Sequence, residues 1–346
     1  MKTSEALAAP INALARSLDE RVNLKHMHRQ LQAVAKVLIV TTFIEDALRC
    51  IITFSVQQQS MRIAGWQSEF WHTALPCVSV VVQTSGSLLI VLPSSSSNTQ
   101  LSQVGCCILL GWCCFHPIMY HQETNWEFLL ETFTIVGGLL ILLSHYMLLG
   151  AASAAAVGAM PTKQPAKAVG PVVAEDDPLG KRAHATQAVG RVLICSVFIY
   201  YAFGRVRGYV ARSLAEFSNA DVFTPFAQGF SIVVLLYACA LLIVGIKSRG
   251  VALLLAAAMF GSACYLHPFW YYLTFVGTSR HFTMEGVAHM EGYEVDAFTM
   301  ADHMRYFFFQ SMSTVGALLL LVVHGPGKLS MDEQQGKLVL ISTHDA

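Results

Sequence analysis

The sequence is poor in charge. Only 13% of its 346 residues are Asp, Glu, Lys or Arg, about half the ~25% carried by a soluble domain, too few to clothe a water-facing surface. Basic and acidic residues balance at 22 each, so no basic excess points to nucleic acid. No asparagine begins an N-x-S/T sequon, so glycosylation marks no luminal loop. There is no CxxC pair, and Cys50, Cys106, Cys107, Cys113, Cys114, Cys195, Cys239 and Cys264 fall in or beside apolar runs, where a thiol behaves as a small apolar side chain. The first 30 residues lack the apolar core and small-residue cleavage site of a signal peptide, which leaves the first span, uncleaved, as the insertion signal. Also missing are a P-loop, G-x-S-x-G, H-E-x-x-H and G-x-G-x-x-G. The expectation is therefore a protein that is not an enzyme and takes no cofactor and no metal.

What is present is apolar length. Hydrophobic residues make up 54% of the chain, with mean hydropathy +0.52. Apolar stretches fall at about 32–55, 72–92, 103–120, 127–149, 188–210, 227–246, 250–270 and 305–324. Most are near the ~20 residues that cross a bilayer, and they lack the period-two alternation of strands. The expected fold is an all-α integral membrane protein of about eight transmembrane helices. The stretches at 103–120 and 250–270 both end in His-Pro, where proline kinks or stops a helix. With eight spans both termini share a side. Thirteen Lys or Arg lie in the segments on that side and six opposite, which places the termini in the cytosol by the positive-inside bias.

The chain also reads as a duplication. VAKVLIVTTFIEDALR (34–49) answers VGRVLICSVFIYYAFG (189–204), HPIMYH (116–121) answers HPFWYY (267–272), and FLLETFTIVGGLL (128–140) answers FFFQSMSTVGALL (307–319), at offsets of 155, 151 and 179. Two four-helix repeats of the same, parallel orientation are expected, related by an axis along the membrane normal. The implied organisation is a cytosolic segment 1–31, a first repeat 32–149, a flexible cytosolic linker 150–187 rich in Pro, Ala and Gly, a second repeat 188–325, and a cytosolic tail 326–346. The jump in offset marks an acidic luminal insertion at about 275–303.

TFIEDALR (42–49) resembles the F-[LI]-E-D-x-x-R pattern of the Surfeit locus protein 4 family. FFFQSMSTVGALLLLVVHGPGKLSMDE (307–333) is similar to that family's last span and tail, and VGRVLI (189–194) and CYLHPFW (264–270) also fit. The resemblance spans about 32–333. Its departures are a longer linker, a longer 275–303 loop, and the ending ISTHDA in place of a di-lysine retrieval signal. It implies a cargo receptor in the endoplasmic reticulum membrane, cycling with the intermediate compartment and Golgi. Such a receptor binds soluble secretory cargo proteins at their N-termini and loads them into COPII carriers. The implied partners are cargo, the COPII coat and membrane lipids, with room for a homo-oligomer.

Within this frame Glu45, Asp46 and Arg49 are the candidate site. They lie half-way along the first span, at a depth where ionisable groups cost several kcal/mol unless paired or hydrated. Spacings of three and four residues let Arg49 reach either carboxylate, and one arginine against two acids leaves a formal charge of −1. On the resemblance, that charge would attract the α-ammonium of a cargo N-terminus. Trp66, Trp71, Phe269 and Trp270 would then wall the following side chains. The plainer alternative is an ion pair that orients the first helix, with the aromatics forming an interfacial belt. Glu131 is matched by Gln310 and reads as a bond across helices, or as the acid of a proton- or ion-coupled transporter. His116 and His267 read as duplicated helix ends, or as axial ligands of a haem in a redox membrane protein.

Overall fold

The computed structural model describes residues 24–92, 99–158, 178–215, 223–274, 281–283 and 294–333. Most of segment 1–31, the centre of the segment read as a linker (159–177), most of the segment read as a luminal insertion (275–280 and 284–293) and the ISTHDA tail lie outside the described residues.

Long helices coincide with the apolar stretches. They are α1 (Leu24–Ile52), α3 (Glu69–Val91), α4 (Thr99–Met119), α5 (Trp126–Gly158), α6 (Pro178–Ala215), α7 (Phe223–Val244), α8 (Ser248–Leu266) and α10 (Ala297–His324). Two short helices, α2 (Phe54–Ile63) and α9 (Phe269–Thr274), follow α1 and α8. Strands β1 (His281–Thr283) and β2 (Glu294–Asp296) pair antiparallel in the insertion. Among the described residues six segments are long and apolar enough to cross a bilayer: 69–91, 99–119, 128–152, 178–204, 248–273 and 297–324.

Boundaries differ from the hydropathy pattern for local reasons. α1 stops at Ile52 because Thr53 leaves the helical region (φ −110°, ψ 39°), its hydroxyl donating to the Arg49 carbonyl at 2.8 Å. α10 starts eight residues before its apolar run, capped by Asp296, whose carboxylate accepts from the Thr299 amide at 3.2 Å. The alanine-rich 151–158 extends α5, and proline opens α6 at residue 178. Helix therefore enters both ends of the segment read as linker. The two His-Pro pairs behave differently. Pro117 sits in the last turn of α4, whereas α8 ends at Leu266 and the chain turns at His267-Pro268 before α9.

The helices follow one another around a ring, with α1, α3, α4 and α5 on one side and α6, α7, α8 and α10 on the other. The most extensive contacts are α5 with α6 and α10 with α1, and α5 also meets α10 across the centre. These joints use matched residues. A Cβ placed on Gly137 would lie 2.7 Å from the Gly190 carbonyl and 2.8 Å from the Ile194 amide. One placed on Gly316 would lie 2.8 Å from the Ala35 carbonyl and 2.7 Å from the Ile39 amide. Residues 35 and 39 precede 190 and 194 by 155, and 137 precedes 316 by 179, the offsets of the sequence match. At the centre a Cβ on Gly138 would come 2.6 Å from the Ala317 Cβ, again 179 apart. Only glycine permits such backbone approach.

Beyond α10 the chain is pinned to neighbouring helix ends. Gln187 donates to the Gly325 carbonyl at 2.9 Å, and the buried Arg191 donates through Nη2 to the Leu329 carbonyl at 2.6 Å. The Asp332 carboxylate accepts from the Lys247 amide (2.8 Å), the Ser248 amide (3.1 Å) and the Ser248 hydroxyl (3.0 Å) at the start of α8. Gly245, at φ +80°, makes the α7–α8 turn directly under Ser330 and Arg191, where a side chain would collide with both.

Candidate functional site

The acids of α1 lie where α1, α3, α4 and α10 meet. Asp46 is buried, its side chain 6% exposed. Arg49 Nη2 donates to its Oδ1 at 2.5 Å, and Gln83 Nε2 of α3 donates to its Oδ2 at 2.7 Å. His116 Nε2 of α4 lies 3.9 Å from the same Oδ2 and has no hydrogen-bond partner. Gln83 also donates to the Ser79 hydroxyl at 2.7 Å, one turn away, which fixes the amide's orientation. Gln83, braced by Ser79, thus brings a donor to the buried carboxylate, as the cost of burying unbonded charge requires.

Glu45 points to α10. Arg305 Nε donates to Glu45 Oε1 at 2.9 Å, and Arg305 Nη2 donates to Asp302 Oδ1 at 2.6 Å. The Glu45 side chain is 7% exposed, and its second oxygen, Oε2, is buried with no hydrogen-bond partner. Arg305 is 26% exposed, Asp302 25% and Arg49 20%, so the guanidiniums form the open side of the cluster and the α1 carboxylates its floor. The Arg49 guanidinium also lies over the Tyr306 ring, 5.1 Å from its centroid. Three carboxylates (Glu45, Asp46, Asp302) against two guanidiniums (Arg49, Arg305) leave a formal charge of −1. The same residual charge was expected from α1 alone, but here it is spread over two helices.

Of the residues singled out in the sequence, Glu45, Asp46 and Arg49 are brought together. The aromatics form two flanking groups. Trp66 donates through Nε1 to the Met119 carbonyl at 2.9 Å, accepts from His72 at its carbonyl at 2.6 Å, and packs against Trp71 (5.9 Å) and His121 (6.3 Å). Phe269 packs on Trp270 (5.2 Å) and on Phe308 of α10 (5.4 Å). Among the described residues neither group makes ring contact with the charges. Trp66 borders the cluster through Met119, next to Tyr120, and Phe269 through Phe308, one turn along α10 from Arg305.

The matched residues occupy matched environments. His116 stacks on Phe128 (5.4 Å, 24°) and His267 on Phe307 (5.5 Å, 26°). Glu131 accepts a hydrogen bond from Tyr201 across the α5–α6 joint at 2.7 Å. Among the described residues no group of three or more His, Cys, Asp or Glu is arranged to hold a metal.

Sequence reasoning does not single out Arg305, Asp302, Gln83 and His116 as neighbours of the acids. A visible signal existed for Asp302 and Arg305, an acid and a base three apart just before an aromatic run. Nothing in the pattern named Glu45, 260 residues away, as their partner.

A helical bundle with, among the described residues, six segments apolar enough to cross a bilayer, and with ionisable side chains folded into its interior, defines a multi-pass integral membrane protein. A profile of the SURF4 family matches residues 12–174 and 291–338, more than half the chain. The chain belongs to that family. It is similar to the Surfeit locus protein 4 homolog of Drosophila melanogaster, 23% identical over 315 residues that cover 91% of this chain and 93% of that protein. It is similar to the Surfeit locus protein 4 homolog of Schizosaccharomyces pombe, 26% identical over 305 residues (87% and 80%). It is also similar to the ER-derived vesicles protein ERV29 of Saccharomyces cerevisiae, 21% identical over 305 residues (88% and 76%). No solved structure matches it.

Proposed function

We propose that this protein is a non-enzymatic cargo receptor of the endoplasmic reticulum membrane that binds the N-termini of soluble secretory proteins and loads them into COPII carriers. The observation that carries the reading is the cluster of Glu45, Asp46 and Asp302 with Arg49 and Arg305, which has a residual formal charge of −1 and one buried Glu45 oxygen unpartnered. A cation is the ligand such a cluster takes, and an α-ammonium is the cation every newly processed secretory chain carries. On this reading Trp66 and Trp71, beside Met119, and Phe269 and Trp270, beside Phe308, would receive the side chains that follow. The name of the yeast relative, an ER-derived vesicles protein, supports traffic between the endoplasmic reticulum and the Golgi as the setting.

On this reading α1 and α7 also cross the bilayer. α1 is 29 residues long and carries Lys36, Glu45, Asp46 and Arg49, and the charge that disqualifies it by composition is the charge its function uses. Eight crossings put both termini in the cytosol, in two parallel four-helix repeats. The matched glycine contacts and histidine–phenylalanine stacks support the repeat.

The test is export. In cells lacking the protein, wild type is expected to restore release of crosslinkable luminal cargo, whereas Glu45→Gln and Asp46→Asn, matched for expression, are not. Normal export by both neutral variants would remove the site. The second reading, a proton- or ion-coupled transporter, rests on Glu131 bonded to Tyr201 in the core. Proteoliposome flux that Glu131→Gln abolishes would establish it.

A further inference from the structure

Arg305 sits where a ligand's cation would sit. Its Nε holds Glu45 Oε1 at 2.9 Å while Nη2 holds Asp302 Oδ1 at 2.6 Å, one turn up the same helix and a quarter exposed. Glu45 Oε2, in a side chain more than nine-tenths buried, is left with no donor. A guanidinium placed to serve Glu45 alone would present two parallel N–H groups to both carboxylate oxygens. Here it is split between two acids, and the deeper acid is half-served.

The molecule contains its own control for the packing explanation. The α10–α1 joint has a counterpart in α5–α6, matched through Gly316 with Ala35 and Gly137 with Gly190. By the same offsets, Arg305 corresponds to Trp126, Glu45 to Tyr200 and Asp46 to Tyr201. The α5–α6 joint is the more extensive of the two and positions no charged residue at the three counterparts. An ion pair is therefore not needed to close a joint of this shape. The counterpart joint has its own acid, Glu131 on Tyr201, but no arginine–carboxylate pair stands at the positions that match Arg305 and Glu45.

We propose that Arg305 is a resident competitor, an internal cation that holds the Glu45 carboxylate until a ligand's ammonium displaces it, whereupon Arg305 keeps Asp302 as its partner. This rests on the receptor reading above and adds what selects the ligand. Only a chain end whose cation reaches past Arg305 to Glu45, including its unpartnered Oε2, can exchange with it. Blocked or shallow N-termini are refused because they offer the buried acid nothing in return. Arg305 thereby sets a threshold, and the apparent affinity falls by the fraction of time that Glu45 is already occupied.

The experiment uses the full chain in nanodiscs and two synthetic probes, an apolar hexapeptide with a free α-amine and its N-acetylated twin. If Arg305 occupies Glu45 about nine-tenths of the time, Arg305→Gln binds the free-amine probe about tenfold tighter than wild type, with no gain for the acetylated probe. Asp302→Asn removes the seat to which Arg305 retreats, so it binds the free-amine probe more weakly. A merely structural Arg305–Asp302 pair moves both variants in the same direction, which would overturn the proposal. Should Arg305→Gln not fold, Asp302→Asn decides alone: weaker binding with unchanged melting supports the competitor, and unchanged or tighter binding sinks it. Glu45→Gln separates the two levels of the claim. If it binds both probes as wild type does, the receptor site itself fails. If it loses the free-amine probe while Arg305→Gln shows no gain, only the competitor fails.

Discussion

The imidazoles of His145 and His324 stack face to face, 3.8 Å between centroids and 25° apart. They are 179 residues apart in sequence, as are Gly138 and Ala317, which touch further along the same α5–α10 seam. Under the repeat each of these residues touches its own match, so the pairs face each other across the axis. Cysteines at 145 and 324, in a background with the exposed Cys77, Cys107 and Cys114 changed to serine, are expected to crosslink on oxidation within one chain. A protease site inserted between residues 159 and 177 would then leave the halves joined on a non-reducing gel. Halves that separate would place the axis elsewhere.

The glycine contacts predict paired sensitivities. Gly137→Leu and Gly316→Leu each drive a side chain into backbone, and each is expected to cost about 1–3 kcal/mol. Gly204 has nothing within 4 Å of an added Cβ, so Gly204→Ala in α6 serves as the neutral comparison, within about 1 kcal/mol. Thermal unfolding in detergent reads all three. A large effect at only one of the first two would argue against matched joints.

For Asp46 and Arg49 the order of damage is the prediction. Arg49→Met leaves a buried carboxylate without its cation, a loss of about 3–5 kcal/mol. Asp46→Asn with Arg49→Met removes both charges, and the double variant is expected to be more stable than Arg49→Met alone. A double-mutant cycle on melting temperature supplies the coupling. Strict additivity would mean that the two side chains do not sense each other.

The Asp332 contact predicts pH dependence. Burial pushes its carboxyl up, but the Lys247 and Ser248 amides, the Ser248 hydroxyl and the nearby Arg249 charge outweigh that and hold it below the ordinary carboxylate value. A depressed acid stabilises the docked tail above its unfolded pKa of about 4 and loses that contribution as pH falls through the lower folded value. The protection of the Lys247 and Ser248 amides from hydrogen exchange, measured relative to the intrinsic exchange rate at each pH, is expected to be high at neutral pH and to fall in acid. Asp332→Asn removes most of that dependence. Protection that is unchanged down to pH 2 would dissociate the tail from these amides.

Hydropathy located the long helices because burial in lipid demands unbroken apolar runs, and it located Glu45 and Asp46 because acids stand out against that background. It was weaker wherever a side chain's role depends on a distant partner. Arg305 looks like a loop arginine until α10 is seen to begin at Ala297, capped by Asp296. His116 looks like a helix end until Asp46 lies 3.9 Å away. Pro117 and Pro268 follow identical His residues, yet one stays inside the last turn of its helix and the other separates two helices. Local sequence names the breaker, and the surrounding packing decides what it breaks.

The tail segment's pinning has a mechanical consequence. Gly325 and Leu329 are tied to Gln187 and Arg191 on α6, and Asp332 to the first residues of α8. Tension applied beyond Glu333 is thus delivered first to α8 at Asp332 and then, through Leu329, to α6, before it reaches the end of α10. From α6 it passes into α5 along the most extensive helix–helix contact among the described residues. Whatever grips this end of the chain has hold of the whole bundle.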